Sequence, residues 1–95
     1  MEERTINGSY SVKMPDFAYH FDHRDNWEKD RLASMRANLK PGDVLFDVGA
    51  ELGWQSCLYG QWVGPKNVVL FEPVPTLWPV IKRTWEANFG NHTPR

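Results

Sequence analysis

Two short apolar runs, each carrying an acid at or next to its end, constrain this chain more than anything else in it. Val44-Leu45-Phe46-Asp47-Val48 and Val68-Val69-Leu70-Phe71-Glu72 share one design. Continuous runs of this length suit parallel strands covered on both faces. Parallel neighbours need a long crossover, and the nineteen residues from Gly49 to Asn67 supply one. The pattern predicts a crossover helix over residues 53–62, closed by Gly64-Pro65. The unit is strand, loop, helix, strand, and the fold class is α/β.

The flanks extend that unit. Near the N-terminus Asn7-Gly8 precedes Tyr10, Val12 and Met14, which alternate with polar residues until Pro15. This reads as a strand after a tight turn, or a hairpin. Asp25 and Glu28 have the spacing of a capping box, and Leu32, Met35 and Leu39 then share one helical face. Lys40-Pro41-Gly42 stops that helix, which is expected over residues 26–39. Beyond Glu72, Pro73-Val74-Pro75 turns the chain. Thr76 is the candidate cap of a last helix that directs Leu77, Ile81, Thr84 and Trp85 to the sheet and ends near Phe89-Gly90. The organisation is an N-terminal strand or hairpin and loop at 1–24, the α/β unit at 25–90 and a tail at 91–95.

Composition narrows the class. A length of 95 residues means one domain at most, and 41% hydrophobic with 24% charged residues is a globular balance. A formal net charge of −1 gives no electrostatic argument for nucleic acid or an anionic membrane. No apolar run reaches spanning length, and residues 1–11 hold no apolar signal core. The single cysteine, Cys57, rules out an internal disulfide, reads as a core thiol and fits a reducing compartment, so cytoplasm is expected. The tryptophans at 27, 54, 62, 78 and 85 read as packing, with an apolar surface awaiting a partner as the alternative.

In an open parallel sheet, ligands bind beyond the carboxyl ends of the strands. Asp47 and Glu72 stand at those ends. A carboxylate there suits two vicinal ribose hydroxyls, since its two oxygens accept from both at once. The loop between strand and helix, Gly49-Ala50-Glu51-Leu52-Gly53, lacks the G-x-G pair that admits a pyrophosphate. Glu51 stands where the second glycine would be, and a carboxylate beside a pyrophosphate meets like charge. A cofactor with an amino group and a sulfonium avoids that conflict. S-adenosylmethionine is preferred, with NAD as runner-up.

The segments LKPGDVLFDVGAELGWQS, NVVLFEPVP and LWPVIKRTWEAN, in that order, resemble the front half of a class I S-adenosylmethionine-dependent methyltransferase, and more narrowly the FkbM-like family. That family shows D-x-G-A-N-x-G, a strand ending F-E-P-x-P, and a helix ending near an asparagine. Residues 40–88 follow this order, and Trp27-Glu28 resembles the aromatic-Glu pair before the family's first strand. The resemblance implies an incomplete Rossmann-like methyltransferase fold, the first parallel strands and helices of a three-layer sandwich. It implies that Asp47, Gly49, Ala50, Glu51 and Gly53 form the loop under the methionine part of the cofactor, that Glu72 holds the ribose hydroxyls, and that Pro73 turns the chain out of the adenosine site. Glu51 departs from the usual asparagine; it either engages the cofactor's amino group or faces solvent.

The resemblance covers the cofactor-binding half alone, so no catalytic residue is assigned. The implied reaction is methyl transfer to a hydroxyl acceptor. The expected chain is therefore a fragment or a split piece, paired with a second chain that supplies the missing strands or with copies of itself. A truncated remnant or an interaction module is the reading from another class. A two-strand sheet leaves free edges and apolar side chains uncovered, and the N-terminal hairpin is the one candidate to cover an edge. The isolated chain is expected to oligomerise, aggregate or remain partly ordered. His20, Asp22, His23 and Asp25 invite a metal, but no distant ligand pair completes a site, and a polar loop is the plainer reading.

Overall fold

The computed structural model describes residues 1–18 and 28–90. The chain opens with an antiparallel hairpin, β1 (Glu2–Ile6) and β2 (Tyr10–Met14), in which Ile6 stands opposite Tyr10. Asn7 and Gly8 adopt left-handed conformations at φ 53° and 72°, which asparagine and glycine tolerate best, and Ser9 N donates to Ile6 O at 3.1 Å. Alternation buries Ile6, Val12 and Met14 on one face.

Helix α1 (Lys29–Asn38) buries Leu32 and half-buries Met35 and Leu39, the expected face. It begins after Glu28, which is itself left-handed at φ 39° and makes no side-chain cap bond. Asp25, residues 26–27 with Trp27, the histidines 20 and 23, and the 91–95 tail lie outside the described residues.

The two apolar runs form the parallel pair β3 (Leu45–Val48) and β4 (Val68–Phe71), in register from Leu45 opposite Val68 to Val48 opposite Phe71. Between them runs α2 (Trp54–Val63), one residue later than expected at each end, followed by a 3-10 turn at Pro65–Asn67. After β4 a second 3-10 turn, Pro75–Leu77, leads into α3 (Trp78–Phe89). Thr76 does not cap α3. It lies inside the turn, where Leu77 N bonds Val74 O at 3.0 Å and the Trp78 amide bonds Pro75 O, so backbone groups do the work of a cap.

Helix α2 is the centre of the molecule. Trp54, Cys57, Leu58, Tyr59, Trp62 and Val63 are all buried, because the helix touches the hairpin, both parallel strands and both other helices. A helix apolar nearly all round is one packed on every side. A Cβ at Gly60 would sit 3.0 Å from the Phe89 ring and 3.1 Å from the Trp85 ring, so the missing side chain sets the approach of α3 to α2. Hairpin and helices thereby share one core, with Ile6, Val12 and Met14 packed in the same cluster as Trp54, Leu58 and Trp85.

Two expectations are corrected. The last helix does bury Ile81, Thr84 and Trp85, but it lays them against α2 and β2 rather than the parallel strands, whose inner face α2 already fills. The parallel pair is also covered on one face only. Leu45 and Leu70 pack against the core, whereas Phe46, Val48 and Phe71 are 67%, 78% and 47% exposed. The Phe46 and Phe71 rings meet edge to face at 5.9 Å between centroids. The hairpin is a separate sheet and covers neither edge of β3–β4. Instead the outer edge of β2 is closed by side-chain amides. Asn88 accepts from Lys13 N at 2.9 Å and donates to Lys13 O at 2.8 Å, and Gln61 Nε2 donates to Ser11 O at 2.8 Å.

Candidate functional site at the carboxyl ends of the parallel strands

The Gly49–Gly53 loop leaves β3 and is folded back by β4. Gly49 N and Ala50 N both donate to Phe71 O, at 2.6 and 3.3 Å. Glu51 N donates to Glu72 Oε1 at 2.8 Å, and Val74 N donates to Glu72 Oε2 at 2.9 Å. The Glu72 carboxylate thus ties the loop after β3 to the turn after β4. Each of its oxygens keeps a lone pair for a further donor. The Trp78 indole holds the backbone at the same place, donating to Glu72 O at 2.8 Å.

Residues 49, 51 and 53 all have positive φ, 79°, 53° and 84°. Glu51 therefore occupies a conformation that asparagine or glycine adopts more cheaply, and its position in the chain is engaged through the backbone N–H. Gly53 is buried and serves packing as well as the loop. A Cβ there would lie 3.2 Å from Ile81 Cγ2 and 3.3 Å from Ile81 Cα. With Gly49, Ala50, Glu51 and Gly53 all donating inside the protein (Gly53 N to Ala50 O at 2.9 Å), the loop has little left for a pyrophosphate.

A cavity of about 380 Å³ opens beside the loop. Asp47, Gly49, Ala50 and Glu51 line it, as do Leu52, Trp54 and Gln55 from the start of α2 and Glu28 and Arg31 from α1. Gly53, Glu72 and Pro73 are outside its lining, with Gly53 turned into the core and Pro73 exposed. Asp47 accepts a hydrogen bond from the Ser56 hydroxyl, which is fully buried. Burial raises the Asp47 carboxyl above its ordinary range, against the Ser56 hydrogen bond and the Arg31 charge, which lower it. Glu28 Oε2 accepts from Arg31 Nη2 at 2.6 Å and from Gln55 Nε2 at 2.9 Å, joining the two helices over the cavity.

Arg31, Gln55 and Ser56 escaped the sequence reading. Arg31 carried one faint signal, its place three residues after Glu28; Ser56 carried none, since a helical serine is ordinarily exposed. Cys57 is fully buried and burial pushes its thiol up, as expected of a core thiol. Trp54 both packs in the core and lines the cavity. Among the described residues no cluster of His, Cys, Asp and Glu is arranged to hold a metal ion, and no helix is long and apolar enough to cross a membrane. Comparison with family models, curated proteins and solved structures found no match.

Proposed function

We propose that the chain binds S-adenosylmethionine as the cofactor-binding half of an FkbM-like class I methyltransferase with a Rossmann-like sheet. One observation carries the reading: the Glu72 carboxylate, clamped by Glu51 N–H and Val74 N–H, stands at the carboxyl end of β4 beside a glycine-bearing loop at the end of β3. Both oxygens are fixed and both can accept again, as two vicinal hydroxyls require. Three carboxylates in the cavity lining, Glu28, Asp47 and Glu51, favour a cofactor bearing positive charge over one bearing phosphates. Methyl transfer to a hydroxyl acceptor would proceed chiefly by alignment of acceptor and sulfonium, and the acceptor side would come from a second chain or from further elements.

The amide spectrum of the chain tests this, recorded during addition of S-adenosylmethionine with NAD as control. The amides of Gly49, Glu51, Gly53 and Glu72 are expected to shift with S-adenosylmethionine alone, and Glu72→Ala to weaken binding about tenfold or more. A dispersed spectrum that stays still at millimolar cofactor would overturn the reading. The exposed Phe46, Val48 and Phe71 would then support the second reading, an interaction module.

A further inference from the structure

We propose that the open face of the parallel pair is the interface of a two-fold dimer, in which a second copy of the chain lays the same face over it with its strands running the opposite way. The proposal does not depend on the cofactor reading and stands or falls separately from it.

Strand alternation builds the face. Phe46 and Val48 on β3 lie on the side away from α2, and Val44, 59% exposed just ahead of the strand, continues their row. The register sets Val69 opposite Phe46 and Phe71 opposite Val48. Asp47, the one charged residue in the two strands, is on the other side, where it accepts from the buried Ser56 hydroxyl. The face therefore carries no charge. Val44, Phe46, Val48 and Phe71 together expose roughly 450 Å² of side chain, so the patch and its image bury about 900 Å² before any rim is counted. Specific interfaces begin near ~1,200 Å² in all, so a rim of a few residues on each copy completes one of modest, micromolar strength.

The charges at the strand ends decide what covers the face. Lys66 stands just before β4, exposed, and forms no ion pair among the described residues. Glu72 directly follows β4, and Glu51 is in the loop that follows β3. Lys40 and Asp43, both ahead of β3, offset each other. The amino ends of the strands are thus net positive and the carboxyl ends net negative. A two-fold axis along the strands would lay Glu51 and Glu72 over their own images. A two-fold axis across the strands stacks β4 on β4 in reverse, so Lys66 of each copy meets Glu72 of the other, twice by symmetry. Aligned sheets stack about 10 Å apart, which a lysine side chain largely spans. The surface is apolar at its centre and complementary in charge to its own image at its ends, which identifies the occupant as a second copy. Val48 also lines the cavity, so the interface borders the candidate site.

Sedimentation velocity on the full chain, from about 1 to 200 μM, tests the proposal. A monomer–dimer equilibrium with a dissociation constant of about 10–100 μM is expected. Phe46→Lys, and independently Phe71→Lys, should raise it about tenfold or more with the amide spectrum still dispersed. Lys66→Glu should raise it about 3- to 10-fold, and Lys66→Glu with Glu51→Lys should recover part of the loss, since Glu51 holds the loop through its backbone N–H. Added salt should weaken the dimer. Zero-length carbodiimide coupling should join Lys66 to Glu72 or Glu51 between copies in the dimer band. A folded chain that stays monomeric at 200 μM would overturn the proposal and leave the face to a different protein. A dimer that both Phe46→Lys and Phe71→Lys leave intact would overturn it as well, by placing the contact elsewhere. A dimer strengthened by salt and by Lys66→Glu would overturn the antiparallel arrangement.

Discussion

The two sheets of this molecule have the same number of strands and opposite fates. The N-terminal hairpin buries Ile6, Val12 and Met14 against α2 and α3, and two side-chain amides finish the outer edge of β2. The parallel pair buries one face on α2 and leaves Phe46, Val48 and Phe71 open, with both of its edges unpaired among the described residues. A pair of strands is not stable by itself. The hairpin gains stability from packing on two helices, and the parallel pair gains it chiefly from α2 among the described residues. The cavity lies on the less supported of the two. The part of the molecule that holds the shape and the part that lines the cavity are thus distinct, and they meet in α2.

Breaking the supported side should have the largest effect. Trp85 is 1% exposed and packs against Phe89 with the rings tilted by 47° and their centroids 4.8 Å apart. Trp85→Ala should cost about 3–5 kcal/mol, a large share of the stability of a domain this small. Urea denaturation should show the hairpin and helices losing structure together. Next comes the junction: Gly53→Ala meets Ile81 and a φ of 84°, and should cost about 2 kcal/mol with the loop amides shifted.

Asp47 sharpens the comparison through pH. Its carboxyl is raised from 3.8 by burial. The unfolded chain therefore ionises it first, and the stability it contributes is complete below the ordinary value and lost as pH rises through the raised one. Asp47→Asn should consequently stabilise the protein at pH 7, with the gain over wild type vanishing on acidification. Paired denaturation curves across that range would reveal a gain that is flat with pH if this is wrong. The smallest effect on stability belongs to the open face. Phe46→Lys should change it by about 0.5 kcal/mol or less, while lowering the concentration-dependent association that an apolar face promotes. Sedimentation velocity at rising concentration separates those two outcomes.

The elements that pack by period were legible in the sequence. Two apolar runs with a long crossover gave the parallel pair and α2, and Asn7-Gly8 gave the turn of the hairpin. The strand ends carrying Asp47 and Glu72 were legible too, because an acid at the close of an apolar run is conspicuous. What stayed hidden were pairings between distant segments. Nothing local says that Asn88 completes the edge of β2, that Ile81 dictates Gly53, or that Arg31 and Gln55 meet on Glu28. The face of α3 was identified correctly but assigned to the wrong neighbour, since periodicity marks which side of a helix is buried and not what buries it.

The Asn88 bridge has a consequence for how the chain is made. It joins positions 75 residues apart, so the strand it completes is synthesised long before the asparagine that completes it. At about 5–20 residues per second the wait is roughly 4–15 s. Over that interval the nascent hairpin has its turn and its register but not its edge, and Ser11 and Lys13 offer their backbone to whatever strand is near. On a crowded polysome the nearest such strand belongs to the neighbouring copy, so slow elongation between Met14 and Asn88 should lower the yield of correctly folded chain more than slow elongation after it.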